Sequence, residues 1–179
     1  RRVQKPFRQG TAYIEEVAGL VKDFVKENQI PEEKILGMGL SMPVIVDRSR
    51  DMIANSHVLG LYEVECEEWT SRMPYPCEII NDANAAALAE ALWQKERGSM
   101  VYLLLSNSVG GAICVKLPEP EDMQEDIRER AVIDTYEGDN WRSAEFGHMT
   151  LHPGGKTCYC GKQGCVDAYC SASNLADLE

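Results

Sequence analysis

The sequence predicts an α/β chain, and three observations carry that prediction. An amphipathic helical pattern precedes a glycine-containing apolar run. A second apolar run feeds an alanine-rich helical stretch. Two further apolar runs lie back to back across a short polar turn. Strand and helix patterns that alternate along a chain are the mark of a layered α/β architecture.

Each element has a local reason. Residues 11–28 place Val17, Leu20, Val21, Phe24 and Val25 at helical spacing, with charged residues on the other face. Gln29-Ile30-Pro31 ends that helix. Residues 35–42, ILGMGLSM, read as a buried strand whose glycines allow close backbone approach. Pro43 punctuates it, and residues 44–46 are expected to continue the sheet. Residues 77–80 form a short apolar strand that runs into Asn81-Asp82-Ala83-Asn84 and a helix to about Arg97. Asn81 or Asp82 can cap that helix, and Gly98 stops it. Residues 101–106 (VYLLLS) and 111–116 (GAICVK) are expected to pair as a hairpin joined by NSVG. Residues 118–141 are acidic and irregular and read as an exposed insertion. A domain boundary is expected near Gly98, dividing the chain into residues 1–98 and 99–179.

Charge and composition narrow the function. The net charge of −11 disfavours direct contact with a phosphate backbone, and the one basic cluster, RRVQKPFR, is short. No run approaches the roughly 20 apolar residues that span a bilayer, and residues 1–10 do not resemble a signal peptide. The sequence reads as a cytoplasmic segment of a longer protein. In a reducing compartment, clustered thiols point to metal or catalysis rather than disulfides.

Four of the seven cysteines fall in CYCGKQGCVDAYC, as Cys158, Cys160, Cys165 and Cys170. Gly161 and Gly164 allow the tight turns that bring Cys165 back toward the Cys158-x-Cys160 pair. Such a knuckle suits tetrahedral thiolate coordination of Zn²⁺. Three thiolates and one further donor close the site, which gives the metal a scaffolding role. His148 and Cys170 both remain candidates for the fourth ligand. A redox pair would want CxxC, which is absent. Elsewhere, Asp82 lies at the end of a strand where a helix begins. That position suits a general base for a sugar hydroxyl and equally a plain helix cap.

The stretch EFGHMTLHPGGKTCYCGKQGC resembles the signature of the ROK family of repressors and sugar kinases, and INDANAAALAE resembles its Asn-Asp-x-Asn motif. The resemblance implies an actin-like ATPase (ribonuclease H-like) fold, of which this chain would be a partial two-lobe fragment. It implies zinc on His148, Cys158, Cys160 and Cys165, with Cys170 left to packing. It implies sugar contacts from Asn81, Asp82, Glu145 and His148, the histidine binding zinc through one nitrogen and facing sugar with the other. It adds Asp167 as a further substrate-binding residue, in the place of the family's Glu after the last zinc cysteine; Asp is shorter by one methylene, so a contact made by Glu could be lost or bridged by water. In a kinase, Asp82 would be the catalytic base, with ATP and Mg²⁺ as cofactors. Dimers or tetramers are implied as well.

The departures from the family pattern are uneven. The glycine turn that holds phosphate in the kinases reads Ser106-Asn107-Ser108-Val109-Gly110-Gly111, with serines at two glycine positions. Pro43-Val44 replaces Pro-Gly. In NWRSAEFGH, Trp141 and Ala144 stand where the kinases have glycines. Sugar-side and zinc residues persist while phosphate-side glycines are eroded. The sequence therefore favours a sugar-sensing regulator, whose DNA contact would come from a domain outside this chain, over an ATP-dependent sugar kinase. A zinc-stabilised interaction module is the third and least favoured reading.

Overall fold

The computed structural model describes residues 1–93, 98–117 and 133–176 of this mixed α/β chain. They fall into two compact units, Arg1–Asn81 and Asp82–Glu179.

In the first unit, α1 (Thr11–Glu27) buries Ile14, Ala18 and Val25 on one face. It ends where the Asn28 side-chain amide donates to the Phe24 carbonyl at 2.7 Å and Gln29 turns to φ 52°. β1 (Met38–Met42) follows. The sequence expectation that residues 44–46 continue that sheet is not met. Pro43 fixes its own φ and offers no N–H, and the Val44 N–H turns back to the Met42 carbonyl at 2.9 Å. β2 (Ile45–Asp47) instead starts a separate antiparallel sheet with β3 (Met52–Ser56) and β4 (Leu61–Glu65). After α2 (Glu67–Thr70), β5 (Cys77–Asn81) pairs in parallel with β1, setting Asn81 opposite Met42. Ile14, Val44, Ile53, Leu61 and Trp69 fill the core. Each fully buried aliphatic side chain contributes about 1.5–3 kcal/mol. Phe7 and Tyr13 close over Trp69, with ring centroids 5.2–6.4 Å apart.

In the second unit, α3 (Asp82–Trp93) buries Ala83, Ala87 and Ala91, one residue every fourth position. β6 (Met100–Leu105), β7 (Val109–Lys116) and β8 (Ile133–Thr135) form an antiparallel sheet in that order. Ala87 and Ala91 pack on Ala112 and Cys114 of β7. Small residues on both surfaces let helix and sheet approach closely. This packing groups α3 with the strands that follow it, so the units divide at Asn81/Asp82 and not near Gly98. Residues 94–97, the expected end of the helix, lie outside the described residues.

The expected hairpin forms, with a shorter loop. Leu105 pairs with Val109, leaving residues 106–108 as the turn, closed by the Ser106 N–H on the Ser108 carbonyl at 3.1 Å. The expected insertion over 118–141 also changes. Residues 118–132 lie outside the described residues, but Ile133 and Thr135 pair with Lys116 and Cys114 as a third strand. The chain then runs through a 3-10 turn (Phe146–His148), α4 (Asp167–Cys170) and α5 (Ala172–Ala176). Among the described residues no helix is long and apolar enough to cross a membrane.

Candidate functional site

His148, Cys158, Cys160 and Cys165 come together in the second unit, each offering one ligand atom, all within 4.8 Å of one another. Cys160 Sγ lies 3.8 Å from Cys165 Sγ, and Cys158 Sγ lies 3.7 Å from His148 Nδ1. Bonds of 2.3 Å to a tetrahedral metal set ligand atoms about 3.8 Å apart. The donor set and its spacing thus fit one tetrahedral ion. All seven cysteines are free thiols, and Cys170, on α4, is not in the cluster.

The turn that builds the cluster explains its glycines. The Cys158 N–H donates to the Lys162 carbonyl at 2.8 Å, and the Gly161 N–H returns to the Cys158 carbonyl at 2.9 Å. Gly161 and Gly164 sit at φ 85° and 82°, which side chains rarely adopt. A Cβ on Gly164 would also overlap the His152 carbonyl. Burial pushes the Cys158 and Cys165 thiols up, Cys158 to about 12. Burial also raises Cys160, but the Lys162 N–H, the Cys158 and Cys165 side chains and the Lys162 charge outweigh it, and this thiol is lowered. A metal would have to displace these protons to bind.

His148 stands at the edge of the cluster with its two nitrogens in different surroundings. Nδ1 faces Cys158, whereas Nε2 lies 3.3 Å from the Tyr159 hydroxyl and 3.9 Å from Glu145 Oε2. Its carbonyl accepts from Lys162 Nζ at 2.9 Å. Tyr159 was not singled out from the sequence, because the middle residue of Cys-x-Cys carries no signal of its own. Burial raises its phenol, and so do the charges of Asp167, Cys158, Glu145 and Cys160.

The EFGH segment is seated on β7. Phe146 covers Gly111, and Gly147 lies against the Val109 carbonyl. A Cβ at either glycine would overlap its neighbour. The two departures before it keep the backbone that glycine would favour: Trp141 and Ala144 hold φ 60° and 62°. Asp167, read from the sequence as a substrate-binding carboxylate, is only 4% exposed. Its Oδ2 accepts the Val109 N–H at 2.6 Å. The Ala172 N–H meanwhile donates to the Ser106 carbonyl at 2.8 Å. The residues around the 106–108 turn are therefore tied to α4 and the start of α5. None of residues 106–111 adopts a left-handed φ, so serine fits this turn without backbone strain.

Asn81 ends β5, where its side chain donates to the Val44 carbonyl at 2.9 Å. Asp82 begins α3, and its Oδ1 accepts the Ala83 N–H at 2.9 Å. Asn84 donates to Glu137 Oε1 at 3.3 Å, and the same oxygen lies 3.4 Å from Thr135 Oγ1. Glu137 falls in the stretch read as an insertion. Only the topology, with β8 beside β7, brings it to Asn84.

Comparison with known proteins agrees with the motifs. A family model, the ROK family, matches residues 2–117 and 133–178. The chain is 28% identical over 149 residues to the glucokinase of Halalkalibacterium halodurans, covering 80% of this chain and 40% of that protein. It is 24% identical over 155 residues to the xylose repressor of Bacillus subtilis, covering 82% of this chain and 35% of that one. A crystal structure of a ROK family transcriptional regulator, a homolog of the E. coli MLC protein, superposes with a TM-score of 0.66 at 18% identity. That match covers 92% of this chain and 38% of that one. The chain thus spans about two fifths of the length of the proteins it matches.

Proposed function

The chain belongs to the ROK family, and from that premise we propose that it is part of the sugar-sensing portion of a transcriptional regulator with an actin-like fold. The observation that carries this reading is the state of the turn between β6 and β7. In the family's kinases a glycine turn offers backbone N–H groups to phosphate. Here serines stand at two of its positions, and the Val109 N–H is already taken by the buried Asp167 carboxylate. A phosphate arriving there would meet a committed donor and a negative charge.

Glu145 and His148 are assigned to the sugar, with Asn81 and Asp82 of the Asn-Asp-x-Asn motif. Asp167 acts from behind, through the turn. The cluster of His148, Cys158, Cys160 and Cys165 is assigned to structural zinc, which when bound would tie residues 148–165 into one rigid segment. DNA contact would come from outside these residues, and a cytoplasmic homo-oligomer is the expected assembly. The glucokinase relative supports the second reading, a sugar kinase using ATP and Mg²⁺ with Asp82 as general base.

A coupled ATPase assay of the full-length protein against a monosaccharide panel, beside calorimetric sugar binding, separates the two. Sensing predicts sugar binding without turnover. Robust phosphorylation that Asp82→Asn abolishes would overturn it.

A further inference from the structure

A metal on Nδ1 of His148 uses that nitrogen's lone pair, so the imidazole must carry its proton on Nε2. Ligating histidines almost always give that second N–H to an acceptor, which fixes tautomer and ring orientation. The family's Glu145 looks suited to the task, but its Oε2 lies 3.9 Å away, beyond hydrogen-bond distance. The Tyr159 hydroxyl lies at 3.3 Å. The two rings meet edge to face, with centroids 5.2 Å apart and planes at 73°, so the phenol also limits rotation of the imidazole.

Tyr159 is delivered by the metal turn itself. It lies between Cys158 and Cys160, and the turn is closed by the Cys158–Lys162 and Gly161–Cys158 backbone bonds. Its partner is fixed from the other side, since Lys162 Nζ, from the same turn, holds the His148 carbonyl. One five-residue loop thus presents two thiols, grips the backbone of the distant histidine and meets its outer nitrogen.

We infer that Tyr159 is a positioning residue of this centre: its hydroxyl accepts the His148 Nε2–H and so holds the tautomer whose Nδ1 lone pair faces the three cysteines. The inference rests on the assignment of the cluster to zinc. It leaves the Glu145 carboxylate for a bound ligand, and a sugar would reach the His148 Nε2–H by sharing it with the Tyr159 hydroxyl or displacing that hydroxyl.

The test uses Zn²⁺ alone as probe on the full-length protein. Tyr159→Phe keeps the ring and removes only the acceptor. Competition against a chromophoric chelator should show zinc affinity falling about 10-fold or more. Long-range ¹H–¹⁵N spectra should show the His148 Nε2 proton shifting and exchanging faster with solvent. Affinity within about two-fold of the parent, or an unchanged Nε2 proton, overturns the inference while the zinc assignment stands. A parent protein that binds no zinc overturns both.

Discussion

Replacing Asp167 gives the sharpest test, because two accounts of this residue predict opposite results. The carboxylate is 4% exposed and accepts the Val109 N–H at 2.6 Å. A hydrogen bond to an ionised group contributes about 1.5–3 kcal/mol, and a buried N–H left without a partner costs a similar amount. Asp167→Ala should therefore destabilise by about 2–3 kcal/mol. Asp167→Asn keeps an acceptor at the same reach and loses only the charge, so about 1 kcal/mol is expected. Asp167→Glu adds a methylene to a packed site, a change that typically costs 1–3 kcal/mol. If Asp167 were instead a shortened sugar contact, Glu would restore the reach and raise sugar affinity. Urea unfolding gives the stabilities. Amide exchange at Val109 reads the bond itself and should quicken about 30-fold for a loss of 2 kcal/mol. An alanine variant within about 0.3 kcal/mol of the parent, or a glutamate variant that binds sugar more tightly without destabilisation, would refute the reasoning.

Other outcomes follow from the same geometry. Ala144 holds φ 62°, a conformation that costs a non-glycine residue about 1–2 kcal/mol. After the entropy glycine adds to the unfolded chain, Ala144→Gly should stabilise by up to about 1 kcal/mol in thermal unfolding, and any loss would contradict the strain. Gly164→Ala faces both φ 82° and the His152 carbonyl. It should cost more than about 2 kcal/mol, with reduced zinc content by metal analysis. Cys158→Ser should abolish zinc binding, whereas Cys170→Ser should leave one zinc per chain; the reverse pattern would dissolve the assigned ligand set.

The juxtaposition of His148, Cys158, Cys160 and Cys165 was legible in the sequence because these residues lie close together, within residues 148–165, and local spacing encodes local geometry. The helix α1 and the β6–β7 hairpin were legible for the same reason. What escaped was non-local. Residues 52–65 form a two-strand hairpin, but MIANS and LYEVE mix polar and apolar residues without clean alternation. β8 is three residues long, and its strand identity exists only through pairing with β7. For Asp167, sequence order cannot show that the Val109 amide, 58 residues earlier, lies within its reach.

Val109 is where these findings meet. Its N–H is held by Asp167 from α4, and its carbonyl packs against Gly147, next to His148. The Ser106 carbonyl, on the far side of the same turn, is held by the Ala172 N–H. The turn is thus fastened to both ends of the segment that carries the His/Cys cluster. A phosphate cradle needs amides free to face an anion, and fastening removes one of them. A wall for sensing needs the opposite, a surface whose side chains keep their places before the ligand arrives, since groups ordered in advance cost nothing to order on binding. The same residue whose amide is taken from phosphate therefore packs against Gly147, between Glu145 and His148, which ties the altered glycine turn to the residues proposed to face the sugar.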